Sequence, residues 1–62
     1  MRKQFEFVGS TSTRLSLDPT EYIDWTVPQI AADILRTLKA ISPDVTFFEE
    51  DVVMAANDLA GA

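Results

Sequence analysis

The residues best equipped for chemistry are carboxylates. Asp18, Glu21 and Asp24 recur at every third position, a spacing that sets them along one side of a helix, where a hard cation such as Ca²⁺ takes oxygen ligands. Glu49, Glu50 and Asp51 are consecutive, so their side chains fan out around a helix and do not converge on one ion. The chain has no histidine and no cysteine, which removes His-based triads, thiolate nucleophiles and the usual zinc ligand sets. "GSTST", from Gly9 to Thr13, lacks the lysine and the glycine spacing of a phosphate-binding loop. We expect no catalytic site, no metal and no cofactor.

Each carboxylate has a plainer task in local structure. Asp18 stands before Pro19 with Glu21 three residues on, the pattern of a capped helix start. Thr26, Pro28 and Gln29 repeat it eight residues later. The only Tyr and the only Trp lie between the two starts. Leu17 with Tyr22, and Trp25 with Ile30, occupy the positions that staple a capped helix to the preceding chain. We read Leu17, Tyr22, Trp25 and Ile30 as a structural joint and Asp24 as solvated. Glu49, Glu50 and Asp51 match the positive end of a helix dipole.

Elements that position these residues follow from periodicity. "RKQFEFV" and "TRLSLD" alternate with period two around "GSTS", which predicts an antiparallel hairpin over about 2–8 and 12–17 with Phe5, Phe7, Leu15 and Leu17 on its inner face. A short helix is expected over about 19–25, ended by the restriction that Pro28 places on Val27. Ile30, Ile34, Leu38 and Ile41, flanked by Ala31 and Leu35, predict a helix over about 27–41, with Asp33 and Arg36 in pairing range on its other face. The last helix, about 47–60, is expected to bury Phe48, Val52, Ala55 or Ala56, and Leu59. Its start is open between Ser42 and Thr46, the latter forming a capping box with Glu49; a short turn at 43–45 reconciles both. Together these predict an α+β fold, one small domain over 1–62, with the two longer helices packed on one face of the hairpin.

At 62 residues the chain is near the lower size limit for independent folding, and without cysteine or histidine its extra support would come from association. Arg2, Lys3 and Arg14 against Glu6 give the first 17 residues +2; Arg36 and Lys39 against nine acids give the rest −7. No apolar run reaches the roughly 20 residues of a membrane span, and the start is not a signal peptide, so we expect a cytoplasmic protein and no membrane partner. Met1 and a helix stop at Gly61 lead us to expect a complete chain. The function that survives is a small acidic non-enzymatic protein-interaction module, with a homodimer as one form. The alternative is an acidic neutraliser of a basic protein (an antitoxin, inhibitor or nucleic-acid mimic) that docks through Asp44, Glu49, Glu50 and Asp51. A β-ribbon nucleic-acid binder using Arg2, Lys3 and Arg14 ranks lower, because an acidic body repels phosphates.

Overall fold

Alternation along both N-terminal segments produces the hairpin. The computed structural model describes residues 2–61, and β1 (Lys3–Val8) pairs antiparallel with β2 (Ser12–Leu17), setting Phe5 opposite Leu15 and Glu6 opposite Arg14. Phe7 and Leu15 are buried and Phe5 and Leu17 half-buried, whereas Gln4, Glu6, Val8, Ser12, Arg14 and Ser16 are exposed. A one-residue slip would turn that apolar set to solvent, so burial of one face fixes the register.

After β2 the chain makes one turn of 3-10 helix, Pro19–Tyr22. The Asp18 carboxylate caps it, accepting from the Thr20 backbone N–H at 3.0 Å and the Thr20 hydroxyl at 2.8 Å. This element is shorter than the helix expected over 19–25. Ile23 is already extended, and Asp24 takes φ 72°, a left-handed conformation that Asp tolerates better than most residues. The reason lies downstream: Thr26 must be extended to cap the next helix, which leaves no residues for a second turn.

α1 (Val27–Ile41) starts on a complete capping box, with Gln29 N–H donating to Thr26 Oγ1 and Thr26 N–H donating to Gln29 Oε1. Ile30, Ile34 and Leu38 form its fully buried stripe, each stabilising the fold by about 1.5–3 kcal/mol through burial. Ile41, expected to extend that stripe, is instead exposed, because the helix runs past the end of the packed core there. Pro43 and Asp44 then form a turn, closed by Val45 N–H donating to the Ser42 carbonyl at 3.2 Å.

α2 (Glu49–Ala60) begins later than the sequence suggests, and the difference has a tertiary cause. Phe47 forms an isolated antiparallel bridge with Gly9 at the hairpin tip, which holds the approach to α2 extended. Phe48 becomes the N-cap with no side-chain capping bond, so the box expected between Thr46 and Glu49 does not form. The buried aromatic also changes. Phe48, expected to be buried, is 60 % exposed, and Phe47 is buried in its place at 9 %, because in an extended segment adjacent side chains point to opposite faces. Val52 and Leu59 are buried as expected, and Ala55 and Ala56 are both buried where one of the two was expected. α2 contacts β1, the 3-10 helix and α1, and both helices share one apolar cluster with the inner hairpin face.

Gly9 is required by this arrangement. Its φ is not positive; the constraint is close approach, since a Cβ there would strike the Thr46 carbonyl oxygen and sit 3.2 Å from Val45 Cγ1. Backbone cannot swing aside as a side chain does. Gly9→Ala should therefore destabilise the protein by about 1–3 kcal/mol in denaturant unfolding, while Ser10→Ala, exposed in the same loop, should change it by less than about 0.5 kcal/mol. Equal effects would show that the bridge is not under steric constraint.

Candidate protein-binding surface

The carboxylates that open the chain's chemical inventory do not converge. Asp18 is engaged with Thr20, whose hydroxyl and backbone N–H hold its carboxyl below the usual range. Glu21 lies 3.7 Å from Arg2, and Asp24 is exposed on its turn. Among the described residues no group of three or more His, Cys, Asp or Glu side chains is arranged to hold a metal ion.

Each of the three hairpin cations has an acidic neighbour. Arg2 donates to the Ser16 carbonyl at 2.8 Å and reaches Glu21; Lys3 lies 3.5 Å from Asp58 on α2; Arg14 pairs across the strands with Glu6 at 3.1 Å. These pairs are exposed and each contributes at most about 1 kcal/mol, but together they cancel the positive potential of the hairpin locally. Asp44, Glu49 and Glu50 are exposed and Asp51 half-buried, and among the described residues no cation lies within ion-pair distance of any of them. Uncompensated charge is thus concentrated at the start of α2 and the turn before it.

The four joint residues divide. Tyr22 and Ile30 are buried, Leu17 is half-buried, and Trp25 is 41 % exposed. Trp25 packs edge-to-face on Tyr22, with ring centroids 5.1 Å apart at 85°, a geometry worth about 0.5–1.5 kcal/mol beyond area. Its outer side borders a shallow cleft of about 750 Å³ shared with Asp24, Gln29 and Arg36. Below it the Tyr22 hydroxyl donates to Asp33 Oδ2 at 2.9 Å, and Arg36 donates to Asp33 Oδ1 at 2.8 Å. That bond to Tyr22 ties the turn before α1 to the helix itself.

Sequence reasoning does not reveal one concave feature, an open groove of about 850 Å³ between α1 and the start of α2. Its walls include Ala31 and Leu35 from α1, Val45 and Phe47 from the connection, and Val52 and Val53 from α2. Glu49 and Val53 continue outward to a smaller hollow with Glu50 and Met54, and Met54 is 69 % exposed. The only signal in the sequence is that Ala31, Leu35, Val53 and Met54 are apolar yet lie outside the tightest buried stripes. Comparisons with family models, curated proteins and solved structures find no match to this chain, so its surface is interpreted from geometry and charge.

Tyr22 offers a direct check on the joint. Burial, and then the hydrogen bond to Asp33, push its hydroxyl from the ordinary 10.0 up to about 12. The Arg36 hydrogen bond, aided by that from Tyr22, holds Asp33 below its usual range. A raised folded value means the stabilisation is complete below pH 10.0 and is lost as pH rises through about 12. For Asp33 the sign reverses: its contribution is present above the ordinary carboxylate range and is lost as pH falls through the lowered value. Because Tyr22 is the only tyrosine, phenolate absorbance should titrate near 12, and Tyr22→Phe should remove the tyrosine-linked part of the alkaline stability loss. A midpoint at the ordinary phenol value would mean the hydroxyl is not held as described.

Proposed function

We propose that this chain is a non-enzymatic, cytoplasmic protein-interaction module that receives its partner in the groove between α1 and α2. The observation that carries this reading is the groove's continuity with exposed apolar surface. Ala31, Leu35, Val45, Phe47 and Val52 line the groove, and Val53, shared with the adjoining hollow, links it to exposed Met54. On a chain of this size an apolar groove that opens onto exposed apolar side chains is an ordinary mark of a binding surface. Acids around its edge supply the polar rim that accompanies an apolar interface centre.

A second reading, self-association, is supported by β2. The sheet contains two strands, so the outer edge of β2 has no strand partner among the described residues. Such an edge is a template for pairing with a second copy.

Site-specific photo-crosslinking in cells that naturally produce the chain separates these readings. A photoreactive residue at Val53 or Met54 should give discrete adducts, and one at Gln4, on the outer hairpin face, should not. Adducts of twice the chain's mass from Ser12 would support edge pairing. If neither Val53 nor Met54 yields an adduct, groove binding is overturned.

A further inference from the structure

The groove also indicates what kind of partner fits it, an inference that rests on the binding role proposed above. We infer that its occupant is an amphipathic helix carrying basic residues along one flank of its apolar stripe. The α2 side of the groove ends in Glu49, with Glu50 on the adjoining hollow. Asp44, exposed and outside the lining itself, stands between Pro43 and Val45, which do line the groove. None of these three acids has a cation in ion-pair range among the described residues. The opposite wall carries Lys39 and no acid. The site is therefore electrically lopsided, negative at the start of α2 and positive at Lys39 on α1. Its complement bears Lys or Arg on one flank and a neutral or acidic residue on the other.

Other occupants fit less well. A second copy placed groove to groove would set one concavity against another and leave both unfilled. It would also bring together two chains that each carry a net charge of −5. Nucleic acid is repelled by the same negative charge. An extended strand draws its affinity from a sheet edge, whereas the walls here are side chains of two helices and their connection. A volume of about 850 Å³ accommodates a few aliphatic anchors and not a whole helix, the requirement met by side chains repeating at i, i+3 or i+4, and i+7.

The test uses the full chain, isotope-labelled for NMR, and three synthetic peptides of about 15 residues, long enough for helix to form. The first has a leucine stripe with Lys and Arg on one flank and Glu on the other; the second inverts every charge; the third replaces the leucines with serine. The first peptide should shift resonances of Leu35, Val45, Glu49 and Val53. It should bind about tenfold or more tighter than the other two and weaken as salt rises. Glu49→Lys/Glu50→Lys should shift preference toward the inverted peptide. If that variant does not fold, Lys39→Glu should raise affinity for an all-basic version of the first peptide. Equal binding of the first two peptides overturns the charge inference and leaves the groove as a binding site. Failure of all three peptides, with crosslinked dimers forming from Val53, assigns the groove to a second copy and overturns the basic-helix proposal alone. Failure of all three, with no crosslink from Val53 or Met54, overturns both.

Discussion

Where the hairpin tip meets the connection between the two helices, Gly9 and Phe47 pair backbone to backbone, and the approach leaves no room for a side chain at residue 9. Much of the remaining architecture is set by that approach. Pairing keeps the chain before α2 extended, which delays the helix to Glu49 and leaves its first turn without a side-chain cap. It decides that Phe47 enters the core and Phe48 faces solvent. It also joins the N-terminal third of the chain to its C-terminal half, so α2 is fixed against β1 at one end by the bridge and toward the other by Lys3 and Asp58. A two-stranded sheet is marginal by itself; here the elements that cover its inner face are positioned by contacts at both ends.

How much of this is legible in the sequence depends on whether the signal is local. The strands announce themselves through alternation of Phe5, Phe7, Leu15 and Leu17, and the hairpin has the predicted boundaries to within a residue. α1 is equally plain, because Thr26, Pro28 and Gln29 fix its start within four residues of chain and Pro43 limits its end. The start of α2 is not legible. Thr46 and Glu49 have the spacing of a capping box, and nothing nearby in sequence says that Gly9, 38 positions away from Phe47, will claim the intervening backbone for a bridge. Trp25 is a milder case: its position is that of a staple, yet the reversal at Asp24 leaves it on the lip of a cleft, resting on Tyr22.

The surface divides in the same way. Acidic character is visible in composition alone, but its location is not, because composition cannot say which charges are already answered. Once folded, the hairpin cations face Glu6, Glu21 and Asp58, while Asp44, Glu49, Glu50 and Asp51 stay without a nearby cation among the described residues. The groove is likewise invisible to pattern analysis, since a concavity belongs to the space between elements and not to any one of them. Ala31 and Leu35 read in sequence as the shoulder of a buried stripe; only the placement of the connection opposite them makes that shoulder a wall.

Among the described residues the buried cluster is aliphatic and aromatic, and the Tyr22 hydroxyl is the one polar side-chain group carried by its members. Buried hydrogen-bond networks are one means by which a fold excludes near-alternatives, because a displaced donor has no partner. This interior relies on shape, and shape tolerates exchange among aliphatics of similar volume. Discrimination against misfolded arrangements is left to the periphery, to the steric gate at Gly9 and the hydroxyl–carboxylate latch from Tyr22 to Asp33. The protein is thus softer in the middle than at its seams: Ile34 or Val52 should tolerate exchange within a volume class better than Gly9 tolerates any side chain.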